Sequence, residues 1–247
     1  MRLNKNIASA LGSVLTLMIL LCFGQSCSKY EPGELTKLAD KEGADKGSGG
    51  HSYTEVYENF FFPLKYKARK ILEIGVGGGA SLRMFQAYFP NAVIYGIDIL
   101  DTSHLNSRSI RTFIADQAER KQLLDFIGTH GGNFDIILDD GGHSMRQQQV
   151  SFAFLFKYLK PGGIYIIEDV HTSLARVGAF EVESNRQNTT LAMIDHFIRT
   201  GMIESPYLVK EERNYLIKNI TYCNLLSRNR GRSIACIFKK RKSISGG

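Results

Sequence analysis

The chain has 247 residues, a length that fits one α/β domain with additional segments. Its apolar fraction of 43% and charged fraction of 22% are ordinary for a globular protein and exclude disorder driven by composition. The formal net charge is +7, and much of the excess lies near the two ends, in residues 2–5 and 239–242. Because no aromatic residues alternate with these basic ones, we interpret the basic tail as solvated and predict no nucleic-acid partner.

Residues 1–26 are predicted to be a signal peptide or a membrane anchor rather than part of the fold. Two positive charges precede an almost wholly apolar run over 7–24, and small residues follow where a signal peptidase cleaves. The run approaches the ~20 residues that span a bilayer, and Cys27 lies where a lipidated cysteine would. We therefore predict a membrane-attached or exported protein. The alternative is a start site assigned too early on a cytoplasmic one.

A polar, glycine-rich segment over 27–50 is interpreted as a linker, with a loop as the alternative. The folded domain is therefore predicted to span 51–242, followed by a short tail. Near its start, Tyr53, Tyr57 and Phe61 recur four residues apart and so share one helix face. This face either packs on the sheet or forms a cap over a ligand.

The stretch around which the domain is organised is an apolar run at 70–74 followed by a turn with glycine at 75, 77, 78 and 79. Glycine tolerates positive φ and lets a backbone approach a ligand closely. The helix that follows presents free N–H groups at its start. This pattern predicts the first strand, turn and helix of a doubly wound α/β sheet, where nucleotide-like ligands bind.

Further apolar runs predict four strands, at 92–98, 111–114, 134–138 and 164–167. They are continuously apolar, as expected where helices cover both faces of a parallel sheet. Residues 170–205 break this rhythm and are predicted to form an insertion or lid with a helix near 191–198. Two late strands, 217–225 and 233–238, predict an antiparallel hairpin. The predicted fold is a doubly wound, mostly parallel seven-stranded sheet closed by that hairpin.

Two cysteines, Cys223 and Cys236, lie on the two late strands and are expected to face each other across the hairpin. No pair of cysteines in the chain has the spacing of a zinc site. A disulfide is an option in an oxidising compartment, but we favour two buried thiols.

Acidic residues end, or directly follow, every predicted parallel strand: Glu73, Asp98, Asp116, Asp139, Asp140, Glu168 and Asp169. Because ligands of open α/β sheets bind beyond the carboxyl ends of the strands, these acids should converge on one crevice. Carboxylates in one place repel each other, so the cluster needs a cation or hydrogen-bond donors. The alternative, which suits Glu73 best, is that they are solvated or cap the next helix.

Three of these acids favour a metal. Asp140, Glu168 and Asp169 follow two strands that should be neighbours, and hard oxygen ligands of this kind suit Mg²⁺. Asp98 lies about twenty residues after the glycine turn, where a carboxylate can bind both hydroxyls of a ribose. His143 follows Asp140 closely, and an imidazole there could accept a proton from a substrate hydroxyl.

Taken together, these residues resemble a known family. The run from Glu73 to Gly79, then Asp98, then Asp116-Gln117 and the hairpin resemble the class I S-adenosylmethionine-dependent methyltransferases. More narrowly, the chain resembles the metal-dependent sugar O-methyltransferases of macrolide biosynthesis, the mycinamicin and macrocin type. The segments that carry the narrower resemblance are 38–47 with His51 and Tyr53, 139–143, and 167–173.

The resemblance implies roles for individual residues. S-adenosylmethionine would be bound by Glu73, Gly75, Gly77, Gly79, Asp98, Asp116, Gln117 and Asp139. Mg²⁺ would be bound by Asp140, Glu168 and Asp169 and would orient a small-molecule acceptor, a sugar or glycoside. His143 would remove the proton as the methyl group transfers. Oligomeric state stays open between a monomer and a homo-oligomer, because the extra N-terminal oligomerisation region common in the family is not recognised here.

Two other functions compete with this one. A non-catalytic, exported or lipid-anchored binding module would have no need for the set Asp140, His143, Glu168 and Asp169. A nucleotide-dependent oxidoreductase is disfavoured by the glycine spacing, by Asp116 and by the hairpin. We therefore predict an O-methyltransferase that depends on S-adenosylmethionine and Mg²⁺.

Overall fold

The computed structural model describes residues 31–174, 185–228 and 232–242. The predicted leader, the tail at 243–247, the tip of the C-terminal hairpin and part of the predicted insertion lie outside these ranges. No helix in the described part of the chain combines the length and the apolar character needed to cross a bilayer.

The described strands form one seven-stranded sheet. They are β1 (Lys70–Ile74), β2 (Val93–Asp98), β3 (Ile110–Ile114), β4 (Phe134–Asp139), β5 (Leu159–Ile167), β6 (Ile220–Arg228) and β7 (Ser233–Lys240). Their order across the sheet is β3-β2-β1-β4-β5-β7-β6. The first five pair in parallel, and β7 runs antiparallel to both β5 and β6. The predicted doubly wound sheet with a closing hairpin is confirmed.

The α-helices of the described residues are α1 (Glu34–Glu42), α2 (Thr54–Phe61), α3 (Ala80–Tyr88), α4 (Arg120–His130), α5 (Met145–Leu155), α6 (Thr190–Thr200) and α7 (Lys210–Asn219). They bury both faces of the sheet. On β1, Leu72 belongs to a core shared with Phe126 of α4, whereas its neighbour Ile71 belongs to a second core with Phe61 and Phe85. Alternate residues of a strand therefore fill opposite cores, which explains the continuously apolar strands.

The strand order reverses next to β1, which has β2 on one side and β4 on the other. Ligands of doubly wound sheets bind at such a reversal, beyond the carboxyl ends of the strands. The glycine turn after β1 and the loop after β4 flank this point. The topology therefore places the two most distinctive sequence motifs next to each other.

The interpretation of 27–50 as a linker is wrong for residues 33–50, of which 43–50 form a loop, the alternative for this segment. The compact unit begins at Gly33, and α1 buries Leu35, Thr36 and Ala39. Only one stripe of this short helix faces the core, so its overall composition remains polar. The loop after α1 carries Lys46, whose exposed fraction is 1%.

The aromatic face of α2 packs in the core, as the first alternative for this helix predicts. Tyr53, Tyr57 and Phe61 are fully buried, and the ring of Phe61 lies 5.7 Å from that of Phe89. The Tyr53 hydroxyl extends beyond the packed face and donates a hydrogen bond to Asp169 at 2.9 Å. This helix therefore connects the core to the predicted metal site.

Two strands start more than one residue away from the predicted position. β6 starts at Ile220, because Ile217 belongs to α7 and faces the core from a helix. β5 starts at Leu159, before the predicted start at 164, and so includes Pro161, Gly162 and Gly163. Its pairing with β4 shifts register near Phe134, and a strand tolerates proline and glycine at such an irregularity.

The two cysteines of the hairpin are free thiols. Their Sγ atoms lie 3.6 Å apart, although Cys223 is paired with Phe238 and Cys236 with Leu225. Cys236 is buried and Cys223 is half-buried. The structure thus shows the favoured alternative of two thiols.

Candidate functional site

A crevice of about 520 Å³ opens at the carboxyl ends of β1, β2, β3 and β4. Its walls include the glycine turn, Asp98, Asp116 and Gln117, the Asp140–Gly142 loop and the Gly43–Lys46 segment. The sequence predicted all of these walls except the last. The crevice therefore lies where the strand order reverses, as expected for a doubly wound sheet.

The glycine turn shapes one wall of the crevice. Gly75, Gly77 and Gly79 have φ angles of 82°, 49° and 75°, a region that favours glycine. A Cβ atom built on Gly77 or Gly78 would meet nothing within 4 Å, so both residues border open space. Gly79 lies at the start of α3 against Leu105 and is not among the residues that line the crevice.

Asp98 holds the glycine turn in place. Its Oδ2 atom accepts hydrogen bonds from the backbone N–H groups of Val76 and Gly77 at 2.8 and 3.1 Å, and Oδ1 accepts one from Leu100 at 2.9 Å. Burial by itself would raise the Asp98 pKa, but these hydrogen bonds lower it overall. The crevice therefore carries an ionised carboxylate at the position predicted to bind a ribose.

The remaining predicted cofactor residues divide into two groups. Asp116 and Gln117 line the crevice. Asp139 is buried behind it, where it accepts hydrogen bonds from the Gln117 side chain at 2.9 Å and from the Ser151 hydroxyl. Burial raises the Asp139 pKa to about 6. Gln117 also accepts the backbone N–H of Gly142 at 2.8 Å, so this network fixes the loop after β4.

Lys46 lies at the centre of the carboxylate cluster. Its Nζ donates a hydrogen bond to Asp140 Oδ2 and lies 3.3 Å from Glu168 and 3.4 Å from Glu73. Lys46, Glu73 and Glu168 are each at most 1% exposed. The sequence prediction that the acids need a cation to coexist is met here by a residue of the chain itself.

Burial and charge compete in this cluster. Burial by itself would lower the Lys46 pKa, but Asp140, Glu168 and Glu73 raise it well above its ordinary value. Burial raises the Glu73 pKa to about 7 against the opposing effect of Lys46. Burial likewise raises the Glu168 pKa. The surrounding carboxylates thus favour the charged ammonium, whereas burial favours the neutral forms of Glu73 and Glu168.

Asp169 is surrounded by aromatic side chains. Three imidazoles, those of His51, His143 and His171, each have a nitrogen 3.8–3.9 Å from an Asp169 carboxylate oxygen. The Tyr53 hydroxyl donates to the same carboxylate. Asp169 itself adopts a φ of 54°, which is uncommon for a non-glycine residue. Such strain is often found at functional sites.

His143 joins Asp140 and Asp169. Its Nε2 lies 3.8 Å from an oxygen of each carboxylate, and its φ of 57° is again in the left-handed region. The Thr172 hydroxyl donates to the His143 carbonyl at 3.0 Å and so fixes the backbone. One donor atom from each of Asp140, His143 and Asp169 lies within 4.8 Å of the others, a spacing that suits a divalent ion.

The predicted metal set of Asp140, Glu168 and Asp169 is therefore divided in this structure. Asp140 and Asp169 lie together beside His143, whereas Glu168 is outside that group and shares Lys46 with Asp140. The assignment of Glu168 as a ligand remains a prediction. The oxygen-rich donor set of the two aspartates fits Mg²⁺, and the open glycine turn beside an ionised Asp98 fits an adenosyl cofactor.

Four residues of the site, Lys46, His51, Tyr53 and His171, were not individually assigned a role from the sequence. Lys46 and His51 lie in or beside the segment predicted to be a linker, and Tyr53 lies on the helix face that was predicted either to pack on the sheet or to form a cap over a ligand. The segments that contain these four residues contributed to the family resemblance, and that was the one signal available. Burial of a lysine among glycines and polar residues depends on tertiary contacts, which no local pattern reports.

Comparison with known proteins supports the family resemblance. No family model matches the chain. Over 154 residues it is 39% identical to mycinamicin VI 2''-O-methyltransferase of Micromonospora griseorubida, a match that covers 60% of this chain and 38% of that protein. Over 149 residues it is 41% identical to 8-demethyl-8-alpha-L-rhamnosyl tetracenomycin-C 2'-O-methyltransferase of Streptomyces olivaceus. This match covers 58% of this chain and 39% of that protein. The matched region thus spans less than half of these relatives.

Solved structures give the same result. MycE methyltransferase from the mycinamycin pathway, in complex with Mg and SAH, matches with a TM-score of 0.70 and 30% identity, over 88% of this chain and 57% of that one. A MycE complex that also contains mycinamycin VI matches with a TM-score of 0.71 and 27% identity, over 100% of this chain and 65% of that one. The chain therefore has the fold of the class I S-adenosylmethionine-dependent methyltransferases, and within that fold it resembles the macrolide sugar O-methyltransferases.

Proposed function

We propose that the chain is an S-adenosylmethionine-dependent and Mg²⁺-dependent O-methyltransferase that acts on a hydroxyl group of a sugar, a glycoside or a similar polyol. One observation supports this proposal above the others. Asp140 lines the glycine-bordered crevice and also lies 3.8 Å from His143, so the cofactor crevice and the acid–histidine cluster share a wall. Methyl transfer to an oxygen requires that arrangement, because donor and acceptor must lie in contact.

The crevice residues suit S-adenosylmethionine. Gly75, Gly77 and Gly79 set the path of the turn that would surround the methionine part, and Asp98 would accept the ribose hydroxyls. Asp116 and Gln117 would flank the adenine at the far wall. Glu73 and Asp139 are buried behind these groups and would act by supporting the turn and the loop that form the crevice.

Mg²⁺ would be held by Asp140 and Asp169, with Glu168 as the third predicted ligand. When bound, the cofactor supplies an electrophilic methyl group and the metal polarises the acceptor hydroxyl. The Nε2 atom of His143 would take the hydroxyl proton. Asp140 and Asp169, which flank that nitrogen at 3.8 Å, would stabilise the imidazolium.

The acceptor is proposed by analogy with the relatives. Their names describe methylation of sugar hydroxyls on glycosylated natural products, and a MycE structure contains mycinamycin VI. Those names are all names of enzymes, and nothing in the comparisons favours the non-catalytic alternative. Residues 185–200, which include α6, contact the 3₁₀ turn Val170–Ser173 and would border the acceptor side.

Calorimetric titration of the full chain tests the proposal. S-adenosylhomocysteine and Mg²⁺ are each expected to bind saturably. Asp169→Asn is expected to abolish Mg²⁺ binding, because it removes the negative charge that the ion requires. Asp195→Asn is the matched control, since this acid lies in an exposed pair with Arg199 on α6. A wild-type chain that binds neither ligand would contradict the enzyme function.

We further propose that residues 1–26 direct export or membrane attachment, with an anchored domain on the cytosolic side as the version compatible with access to S-adenosylmethionine. The charges and the apolar run of this segment support the proposal. Mass spectrometry of the chain from membrane and soluble fractions is expected to find it in the membrane fraction or shortened at its N-terminus. An intact Met1 confined to the soluble fraction would contradict both.

A further inference from the structure

The buried ammonium of Lys46 is the feature that the proposed function does not use. Its Nζ contacts Asp140 and lies 3.3 Å from Glu168, 3.4 Å from Glu73 and 3.6 Å from Asp45. The side chain is 1% exposed, so water does not screen these contacts. Lysine is rarely buried to this extent unless it is paired, and this one is paired with several carboxylates at once.

Two of these carboxylates are also predicted metal ligands. Asp140 presents Oδ2 to Lys46 and Oδ1 toward His143, and Glu168 presents its Oε2 to the same ammonium. If Asp140 bound a divalent ion, only the carboxylate group of Asp140 would separate that ion from the buried positive charge of Lys46. Like charges repel strongly at such separations where water is excluded, so the two cations cannot both be bound there without a penalty.

We propose that Lys46 is an internal counter-ion that holds Asp140 and Glu168 in the metal-free protein and competes with the divalent cation for these carboxylates. The inference rests on the proposed function in one respect, the identification of Asp140 as a metal ligand. Lys46 keeps the acids together so that the site exists before metal arrives. It also weakens metal binding, so that the affinity is set by a residue of the Gly43–Lys46 segment, which lines the cofactor crevice.

Lys46→Met tests this competition, because methionine removes the charge and keeps an unbranched side chain of similar length. The variant is expected to bind Mg²⁺ at least about tenfold more tightly than the wild type in calorimetric titration, since the repulsion from the ammonium is gone. Its thermal unfolding midpoint is expected to rise far more on addition of saturating Mg²⁺ than the wild-type midpoint does.

Lys160→Met is the matched control. Lys160 forms an ion pair with Asp135 at 2.7 Å, and these residues lie near the starts of β5 and β4, at the opposite ends of the strands from the site. The same chemical change there should leave the Mg²⁺ affinity unaltered. A rise in affinity in both variants would show a general effect of net charge and would overturn the proposal.

The remaining outcomes separate the proposed competition by Lys46 from the proposed metal site itself. If the wild type binds Mg²⁺ and Lys46→Met binds it equally or more weakly, the competition is wrong while the metal site stands. If neither protein binds Mg²⁺, the metal site itself is wrong, and the competition fails with it. A Lys46→Met chain that folds only when Mg²⁺ is present would support the proposal, whereas one that stays unfolded at saturating Mg²⁺ would overturn it.

Discussion

His143→Ala is expected to lower the rate of methyl transfer by about 10²–10⁴-fold, the range typical for loss of a general base. The imidazole Nε2 lies 3.8 Å from both Asp140 and Asp169, at the edge of the crevice where an acceptor hydroxyl would meet the cofactor. Binding of S-adenosylmethionine is expected to be unchanged, because His143 does not line the crevice. The rate is measured as the release of S-adenosylhomocysteine in the presence of a glycoside that the wild type methylates.

Two binding measurements make this prediction specific. A matched loss of cofactor affinity would show that His143 supports the crevice and is not a base. A large loss of Mg²⁺ affinity would make His143 a metal ligand, which its distance to the two aspartates also allows. His104→Ala serves as the control, since this histidine is exposed on the turn Ser103–Leu105 and does not line the crevice.

The sheet could be predicted because its signals are local. An apolar run followed by glycines predicts a strand and a tight turn wherever the chain folds, and β1 matches its predicted bounds of 70–74. The acids at strand ends also converged as expected, because parallel strands bring their carboxyl ends to one edge. Asp98, Asp116 and Asp140 line one crevice for this reason.

What could not be predicted depends on contacts between distant parts of the chain. Lys46 meets Asp140, which lies 94 residues further on, and Tyr53 meets Asp169, which lies 116 residues further on. Nothing in a polar, glycine-rich stretch reports that its lysine will become the cation of a cluster. Similarly, Ile217 fits a strand and a helix equally well by local pattern, and packing assigned it to α7.

The different partners of the three predicted metal ligands also depend on contacts between distant parts of the chain. Asp140, Glu168 and Asp169 look equivalent in the sequence, since all follow neighbouring strands. In the structure the backbone of Asp169 adopts a left-handed conformation and its side chain meets His143, while Glu168 faces Lys46. β5 ends at Ile167, and the left-handed backbone of Asp169 turns its side chain away from that of Glu168, so two adjacent acids can serve different partners.

Gly75→Ala is expected to reduce the free energy of unfolding by about 3 kcal/mol or more, at the upper end of single substitutions. The backbone φ of Gly75 is 82°, and an alanine Cβ there would lie 2.1 Å from the carbonyl oxygen of Asp140. Moving the backbone of either Gly75 or Asp140 would break hydrogen bonds to the sheet. Gly75 donates to Ile97 at 2.8 Å, and the Asp140 N–H donates to Ile74 at 2.9 Å, so both loops are attached to the sheet.

The same substitution is expected to impair both halves of the site at once. Pushing Asp140 away from β1 displaces its carboxylate from His143 and opens the wall that it shares with the crevice. Affinity for S-adenosylhomocysteine and affinity for Mg²⁺ should therefore fall together, which calorimetry at a temperature where the variant is folded would measure. Denaturant titration gives the change in stability.

Gly78→Ala is the control for the close contact between Gly75 and the Asp140 backbone. Gly78 belongs to the same turn and has no positive φ, and a Cβ there would meet nothing within 4 Å. Its stability should therefore stay within ~0.5 kcal/mol of the wild type, as for most unconstrained surface positions. If Gly75→Ala proved as stable as Gly78→Ala, the contact between the glycine turn and the Asp140 loop would not be the constraint that joins the cofactor crevice to the acid–histidine cluster.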